Sequence, residues 1–306
     1  MAEPSPTFVG RGSVLESPTA APWLLLSSAL SFGMMAFLSK LATEHYDGAA
    51  LSVSRFTFGL LVMLTLRAGG AITFAPQRKG LLVLRGVLGG VSVLLWYLSM
   101  EHLGAGMATL LNYTSPIFAL VFSKVFLKEA LTGRALASMA VAATGVLLVV
   151  EGQSAAAMAV PAEPEWIAVA LLSALISGGA VTTIRALRTG DHPDSPWTIF
   201  AFFCAGAVVV ASPLAERFRA PTMVDAAILL AVGITAMGGQ LTMNFAMRNV
   251  SAPTHGITSQ LGVVVAGGLS YVWLGEEWSL LSLAGALLTV SGAISAAFSP
   301  VRARLR

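Results

Sequence analysis

Long apolar runs are the feature that most limits what this chain can fold into. A membrane-spanning helix needs about 20 apolar residues, because the hydrocarbon layer is about 30 Å thick and each helical residue rises about 1.5 Å. Charged residues and Pro/Gly clusters divide the sequence into ten such runs. They cover residues 22–42, 49–68, 81–100, 104–127, 132–150, 165–187, 196–213, 223–247, 252–274 and 279–298. The sequence therefore predicts an all-α membrane protein with ten transmembrane helices.

The composition excludes an ordinary soluble fold. Of the 306 residues, 56% are hydrophobic and 11% are charged, whereas a soluble domain has about 25% charged residues. A soluble protein of this size could not cover so much apolar surface. Cys204 is the single cysteine, which excludes an intrachain disulfide and a cysteine-built metal site. Residues 1–21 lack the basic start and apolar centre of a signal peptide, and we expect them to form a flexible cytoplasmic tail.

Two segments of the chain repeat one layout. Residues 231–297 follow residues 84–150 at a constant offset of 147. The corresponding positions include Gly86 and Gly233, Glu129 and Glu276, and Gly145 and Gly292. An internal repeat of this kind is a sign of transporter architecture. We expect a first repeat over residues 22–150, an external connector over residues 151–164 and a second repeat over residues 165–298.

The number of helices in each half sets its direction. Five is an odd number, so the second copy enters the membrane from the side opposite to the first, and the repeat is inverted. An inverted pair of repeats lets one scaffold present the same site alternately to either side of a membrane.

Lysine and arginine set the orientation, because cytoplasmic loops carry the excess of both. With the N-terminus inside, the outside receives only Arg217 and Arg219. The cytoplasmic side receives Arg11, Arg67, Arg78, Lys79, Arg85, Lys124, Lys128, Arg134, Arg185, Arg188, Arg248, Arg302, Arg304 and Arg306. Both termini are then cytoplasmic, including a basic tail over residues 299–306, and we expect a multi-pass protein of the inner (plasma) membrane.

The order of these elements resembles a known family. Each half has a Gly-dotted third helix, a fourth helix with a central Pro or small residues, and a closing FLKE (126–129) or WLGE (273–276). In this arrangement the chain is similar to the EamA type of the drug/metabolite transporter superfamily, whose members include exporters of amino acids and importers of vitamins and other metabolites. The resemblance implies a central cavity surrounded by helices one to four and six to nine, with helices five and ten packed outside. One departure is that residues 22–42 contain no carboxylate, whereas the small multidrug branch uses a glutamate in its first helix.

Polar side chains within the apolar runs indicate a cavity, because polar groups in hydrocarbon are costly and usually face a cavity or a partner. Gln240 and Asn244 are four residues apart and share a helix face, as do His255 and Ser259. The repeat relates them to positions in the third and fourth runs. The predicted substrate-binding residues of these four helices are Trp96, Tyr97, Asn112, Tyr113, Gln240, Asn244, His255 and Ser259. Such a cavity suits a small amphiphilic or zwitterionic solute; the alternative is polar contact between helices.

Two cations fall within the membrane in this topology, Lys40 and Arg55, and we include both among the candidate substrate-binding residues. Lys40 corresponds to Arg185 under the repeat, and a Lys/Arg pair could hold a carboxylate or a phosphate. Each cation could instead extend its charged end to the membrane surface.

Glycine and proline predict how the helices pack and bend. Glycines such as Gly86 permit close contact between helices. Pro116, in the middle of the fourth run, is predicted to kink its helix, whereas its counterpart Val263 is not, so the two halves would bend differently. Glu129 and Glu276 end their runs, and we interpret them as structural residues.

The sequence lacks the motifs of common enzyme classes. It contains no GxSxG, HExxH or Walker A motif, and its four histidines lack the spacing of metal ligands. No run of Lys and Arg is interleaved with aromatic residues, so a nucleic-acid surface is not expected. We expect no enzyme activity, no cofactor and no bound metal.

These observations, together with the resemblance to EamA transporters, predict a secondary transporter that moves a small organic metabolite outward by alternating access. The resemblance and the neutral polar and aromatic cavity imply an amino acid or a related solute. The coupling is either facilitated exchange or proton antiport through His255, because the imidazole of histidine has an unperturbed pKa of about 6.5. The expected partners are the solute, the lipid bilayer and, for antiport, protons. We expect a monomer or a weak dimer.

Three alternatives stay open. An organic-anion or nucleotide-sugar exchanger of the same fold requires Lys40, Arg55 or Arg185 to face the cavity. A vitamin or metabolite importer fits equally, since sequence does not set the direction of a passive carrier. A non-transporting membrane scaffold would bind a partner protein and show no solute flux.

Overall fold

The computed structural model describes residues 14–43, 45–129, 132–153, 163–215, 220–275 and 277–298. These residues form eleven α-helices and two short 3-10 helices, with no β-strand among them. The α-helices are α1 (Ala21–Ala42), α2 (Gly48–Ala68), α3 (Lys79–Asn112), α4 (Ser115–Phe126), α5 (Gly133–Gln153), α6 (Pro164–Arg188), α7 (Pro196–Ala211), α8 (Met223–Ala246), α9 (Ala252–Ser259), α10 (Leu261–Leu274) and α11 (Leu280–Ala297).

Nine helical segments in the described part of the chain are long and apolar enough to cross a membrane. The prediction of an all-α membrane fold is therefore confirmed, but the prediction of one continuous helix over residues 104–127 is wrong. The chain kinks at Gly104, whose φ of 75° is a conformation that glycine adopts without steric cost. α3 then continues to Asn112, and the separate helix α4 is only 12 residues long.

The predicted ninth helix, residues 252–274, is also divided in two. α9 ends at Ser259 and α10 begins at Leu261, on either side of Gln260. Pro116 does not kink a helix interior, because it lies in the first turn of α4, where proline's missing N–H costs no helical hydrogen bond. The break precedes it, between Asn112 and Ser115. The predicted contrast between Pro116 and Val263 is therefore wrong, since both regions are interrupted.

The helices pack in pairs that surround a centre. α1 packs against α8 and α10, and α6 packs against α3 and α4. α2 packs against α7, and α5 packs against α11 at the side of the molecule. A Cβ atom on Gly86 would lie 2.6 Å from the carbonyl oxygen of Phe202, so glycine allows α3 and α7 to cross closely. The packing role predicted for Gly86 is confirmed.

One end of the molecule carries linked ion pairs that we name the arginine network. Arg188 donates to Glu16 at 2.5 Å and to the carbonyl oxygens of Asp194 and Asn244 at 2.6 and 3.0 Å. Arg248 also binds Glu16. The remaining pairs are Arg185 with Glu129 at 2.7 Å and Arg78 with Asp194 at 3.4 Å. The network joins the ends of α4, α6 and α8 to the segment before α1.

The predicted tails and connector lie partly outside the described residues. Of the predicted flexible tail, residues 1–13 are outside, whereas Val14–Glu16 forms a 3-10 helix whose Glu16 belongs to the arginine network. Of the connector, residues 154–162 are outside, α5 extends to Gln153, and α6 begins at Pro164. Residues 299–306 and Glu276 are outside as well.

Candidate functional site

A cavity of about 220 Å³ lies at the centre of the helices, and we name it the central cavity. Its described lining comes from α1 to α4 and α6 to α10, with none from α5 or α11. The aromatic lining residues are Phe32, Trp96, Tyr113 and Phe203. The lining residues with side-chain polar groups include Arg55, Arg85, Ser92, Thr109, Asn112, Ser115, Ser177, Gln240, His255 and Ser259. The cavity therefore combines aromatic faces, neutral hydrogen-bonding groups and two guanidinium groups.

Seven of the ten candidate residues from the sequence line this cavity. They are Arg55, Trp96, Asn112, Tyr113, Gln240, His255 and Ser259. Several of these polar groups are already held by neighbours. Asn112 donates to the hydroxyl of Ser173 at 3.0 Å, and Ser173 donates to the carbonyl oxygen of Ser92 at 2.8 Å, which ties the end of α3 to α6. His255 is 6% exposed, and its Nδ1 atom has no hydrogen-bond partner among the described residues.

The other three candidates, Asn244, Tyr97 and Lys40, do not line the central cavity. Asn244 is fully buried and donates to the carbonyl oxygen of Pro196 at 3.2 Å, while its own Oδ1 lies 3.4 Å from Nε2 of Gln240. Its role is contact between helices, which was the alternative interpretation.

Tyr97 and Lys40 line a second cavity of about 780 Å³ between the end of α1, the start of α2 and α3. Its lining also includes Asp47 and Glu101. Trp96 and Tyr97 are adjacent in sequence but face different cavities, because successive residues point about 100° apart around a helix.

Arg55, on α2, is 6% exposed and lies in the central cavity. Its guanidinium is 4.5 Å from the centroid of the Phe56 ring. Nη1 lies 3.1 Å from the sulfur of Met35 and 3.5 Å from the hydroxyl oxygen of Tyr97, both of them neutral groups. Nε has no hydrogen-bond partner in the described structure. Arg55 is therefore a buried cation with weak partners.

Arg85, on α3, is the main residue that sequence reasoning missed. It was assigned to the cytoplasmic side, but α3 begins at Lys79, so Arg85 lies inside the helix, 3% exposed and lining the central cavity. Its guanidinium lies 3.9 Å from the centroid of the Phe203 ring. The predicted run 81–100 already contained Arg85, and this was the signal that the residue lies within the span.

Arg185 does not face the central cavity. It pairs with Glu129 at 2.7 Å and donates to the carbonyl oxygens of Met247 and Arg248 at 2.8 and 2.7 Å. Lys40 and Arg185 therefore do not form a joint anion site, because one lines the second cavity and the other belongs to the arginine network. Of the three cations that the sequence offered, Arg55 alone faces the central cavity.

The charge of the central cavity is one-sided. Its described lining contains two arginines and no aspartate or glutamate. Neither arginine has a carboxylate within ion-pair distance among the described residues, whereas Arg78, Arg185, Arg188 and Arg248 each have one. The cavity is therefore electropositive and suited to an anionic group.

Comparison with known proteins places the chain in a family. The model of the EamA-like transporter family matches residues 19–151 and again residues 164–298. The chain is 28% identical to the pseudopaline exporter of Pseudomonas aeruginosa, over 92% of this chain and 97% of that protein. It is 27% identical to a probable terminal-alkyne amino-acid exporter of Streptantibioticus cattleyicolor, over 89% of this chain and 91% of that protein. It is also 25% identical to human solute carrier family 35 member G1, over 90% of this chain and 78% of that protein.

A solved crystal structure has the same fold. It superposes with a TM-score of 0.78 at 20% sequence identity, and the match covers 92% of this chain and 97% of that one. The family match and the apolar helices identify a multi-pass membrane transporter of small metabolites rather than an enzyme. The chain belongs to the EamA-like transporter family.

Proposed function

We propose that the protein exports a small, carboxylate-bearing metabolite of the amino-acid class, and that the central cavity is its substrate site. The observation that carries this proposal is Arg55, a buried guanidinium in the cavity with no acidic partner among the described residues. An unpaired buried charge costs several kcal/mol. A substrate carboxylate offsets that cost with a charge-assisted, two-point hydrogen bond.

The rest of the cavity suits the remainder of such a molecule. Gln240, Asn112 and Ser259 offer neutral donors and acceptors, and the faces of Trp96 and Tyr113 can hold an ammonium group or an apolar side chain. The name of the Streptantibioticus relative, an amino-acid exporter, supports the same class.

Alternating access requires two halves that can rock about the site, and we propose that residues 22–150 and 165–298 are inverted five-helix repeats. Three observations support this. The break at Gln260, shifted by 147, falls on Tyr113, next to the break before α4. The packing of α1 on α8 and α10 corresponds to that of α6 on α3 and α4. The family model also matches twice. The tenth span then consists of the end of α3 together with α4.

We propose that the arginine network lies at the cytoplasmic face of the inner membrane, with both termini on that side. Its basic residues lie at or near helix ends that the positive-inside rule assigns to the cytoplasm. The opposite end carries acidic groups, including Asp47, Glu101 and Asp225.

The membrane potential is the proposed driving force. Each net negative charge that moves outward across an inside-negative membrane releases about 2.3 kcal/mol per 100 mV, so a substrate with a net negative charge leaves without a coupled ion. Proton antiport through His255 is the second candidate, and the observation that favours it is the partnerless Nδ1 atom in the cavity.

The proposal is tested by binding to the purified protein. A ligand that binds only the folded state raises its thermal stability. We expect stabilisation by carboxylate-bearing amino acids, loss of this effect in Arg55→Gln, and no loss in the control Arg134→Gln, because Arg134 is exposed. Stabilisation only by compounds without a carboxylate, such as lipophilic cations, would refute the proposed substrate class. A protein that binds no solute and gives no flux in proteoliposomes would favour a scaffold instead.

A further inference from the structure

We infer that the substrate carries two anionic groups, one received by Arg55 and the other by Arg85. The inference rests on the proposed function, in which the central cavity is the substrate site, and it narrows the substrate class to metabolites with two anionic groups, such as dicarboxylic amino acids.

The first step is the state of Arg85. Its guanidinium covers Phe203, and Nε and Nη1 have no hydrogen-bond partner among the described residues. An aromatic face attracts a cation but supplies no hydrogen-bond acceptor of carboxylate strength. A residue with five N–H donors is thus held in the cavity wall, with Nε and Nη1 unpartnered in the part of the chain that the structure describes.

The second step is that the backbone makes room for this arrangement. A Cβ atom on Gly89, one turn further along α3, would overlap Nη1 of Arg85 and lie 2.5 Å from Cε2 of Phe203. Glycine at this position therefore lets the Arg85 guanidinium lie against both α3 and the Phe203 ring, instead of being displaced from the cavity.

The third step compares the other arginines of the same protein. Arg188, whose side chain is 2% exposed, pairs with Glu16, and Arg185, at 11%, pairs with Glu129. Arg185 and Arg188, which connect helix ends, therefore each have a carboxylate partner. Counted over the whole residue, Arg55 is 6% exposed, and Arg85 and Arg188 are each 3% exposed. Arg55 and Arg85, unlike Arg188, have no carboxylate partner in the described part of the chain. Two missing counter-charges at one site point to two charges on the ligand.

The fourth step is the distance between the two guanidinium groups. Phe56 and Phe203 pack edge to face with centroids 4.7 Å apart, and they connect the two arginines. Arg55 lies 4.5 Å from the first ring and Arg85 lies 3.9 Å from the second. These three distances set an upper limit on the separation of the two guanidinium groups. One extended metabolite with an acid at each end can bridge that separation.

A substrate with a single anionic group does not match both arginines. A monocarboxylate can pair with one arginine, and the second then stays buried without a counter-charge, at a cost of the same kind as in the empty cavity. A metabolite with two anionic groups supplies a counter-charge to both arginines. We therefore expect the affinity to depend on the second anionic group by about 10- to 100-fold, the usual effect of one charge-assisted hydrogen-bonded pair.

The experiment compares acids with their amides, which have nearly the same size but one charge less. Binding of L-glutamate and 2-aminoadipate is measured against their side-chain amides by ligand-dependent thermal stability. The wild type should bind at least one acid about tenfold or more tightly than its amide. In Arg85→Gln the ratio should fall towards one, and Arg85→Lys should retain part of the preference for the acid.

The possible failures are distinguishable. Equal binding of acids and amides by the wild type overturns the inference of a second anionic group but leaves the proposed function intact. Binding of acids that is unaffected in both Arg55→Gln and Arg85→Gln places the site outside the central cavity and overturns the proposed function as well. If Arg85→Gln does not fold, the wild-type ratio and Arg85→Lys still decide the question.

Discussion

The hydroxyl oxygen of Tyr97 lies 3.5 Å from Nη1 of Arg55, and the two residues line different cavities. Arg55 faces the central cavity, and Tyr97 faces the second cavity beside Lys40 and Glu101. Their contact is therefore part of the wall between the central cavity and the second cavity. If a substrate carboxylate binds Arg55, as proposed, it would compete with Tyr97 for the same guanidinium, and we expect occupancy of the central cavity to favour opening of this wall.

Removing the Tyr97 hydroxyl should loosen the wall while leaving the site in place. We expect Tyr97→Phe to bind carboxylate-bearing amino acids within about threefold of the wild type, because the charged pair with Arg55 does not require the hydroxyl. A cysteine placed at Ser92, in the central cavity, should react faster with a membrane-impermeant thiol reagent added from the outside when Tyr97 is replaced by Phe than when Tyr97 is present. Cys204→Ala supplies the cysteine-free background. Equal labelling rates in the two proteins would exclude a role for this contact as a barrier.

Gly89→Ala should move the guanidinium of Arg85 away from Phe203. The added methyl group would overlap Nη1 of Arg85 and lie 2.5 Å from Cε2 of Phe203, so the Arg85 side chain must change rotamer and the Phe203 ring must shift. A thermal melt checks that the variant still folds. We expect the preference for acids over amides to fall as it does in Arg85→Gln. The matched control is Gly80→Ala on the same helix, since a Cβ atom there would have no described neighbour within 4 Å. An unchanged preference in Gly89→Ala would show that the observed position of Arg85 is not needed for binding.

Glu16→Gln should weaken the arginine network. Arg188 keeps two backbone carbonyl partners but loses its carboxylate, and Arg248 loses its partner as well. The loss of one charge-assisted hydrogen bond at a buried group costs about 1.5–3 kcal/mol. Because these bonds hold the ends of α6 and α8 together, a lower thermal midpoint should follow, and a cysteine in the central cavity should be labelled faster from the side of the arginine network. Asp191→Asn, at an exposed acid in the loop before Asp194, serves as the control. If both variants behave like the wild type, the network does not hold this end closed.

The two proposed couplings, export along the membrane potential and proton antiport, differ in their driving force. If an anion leaves along the membrane potential, His255→Gln should retain export. The export rate should still rise with an inside-negative potential, set by a potassium gradient with valinomycin. The Gln side chain keeps a hydrogen-bonding group at a similar place in the cavity. Export that follows a proton gradient in the wild type and loses this dependence in His255→Gln would instead support proton antiport.

The sequence predicted the spans well where hydrocarbon thickness alone decides them. The first run, residues 22–42, agrees closely with α1 at Ala21–Ala42. The interruptions could not be predicted in the same way. Gly104 and Gln260 lie in or beside long apolar stretches, and the breaks there depend on backbone geometry and on packing against other helices.

The site was predicted as far as helix faces allow. The four-residue spacing correctly placed Gln240 and Asn244 on one helix face. Gln240 lines the central cavity, whereas Asn244 donates to the carbonyl oxygen of Pro196. Spacing along a helix does not predict which of two residues on one face reaches the cavity. Arg85 was missed because the positive-inside rule counted it among the cytoplasmic charges, although the predicted run 81–100 contained it. Its burial depends on Gly89 and on Phe203 of α7, which lies more than 100 residues later in the chain.

The most direct test of the account is efflux from proteoliposomes loaded with radiolabelled L-glutamate, with L-glutamine as the matched amide, for the wild type, Arg55→Gln and Arg134→Gln. The wild type and Arg134→Gln should release glutamate at similar rates under an inside-negative potential. Arg55→Gln should release it at least about tenfold more slowly, the effect of one lost charge-assisted pair. Efflux of glutamate that is equally fast in Arg55→Gln would contradict the claim that this buried arginine binds the substrate.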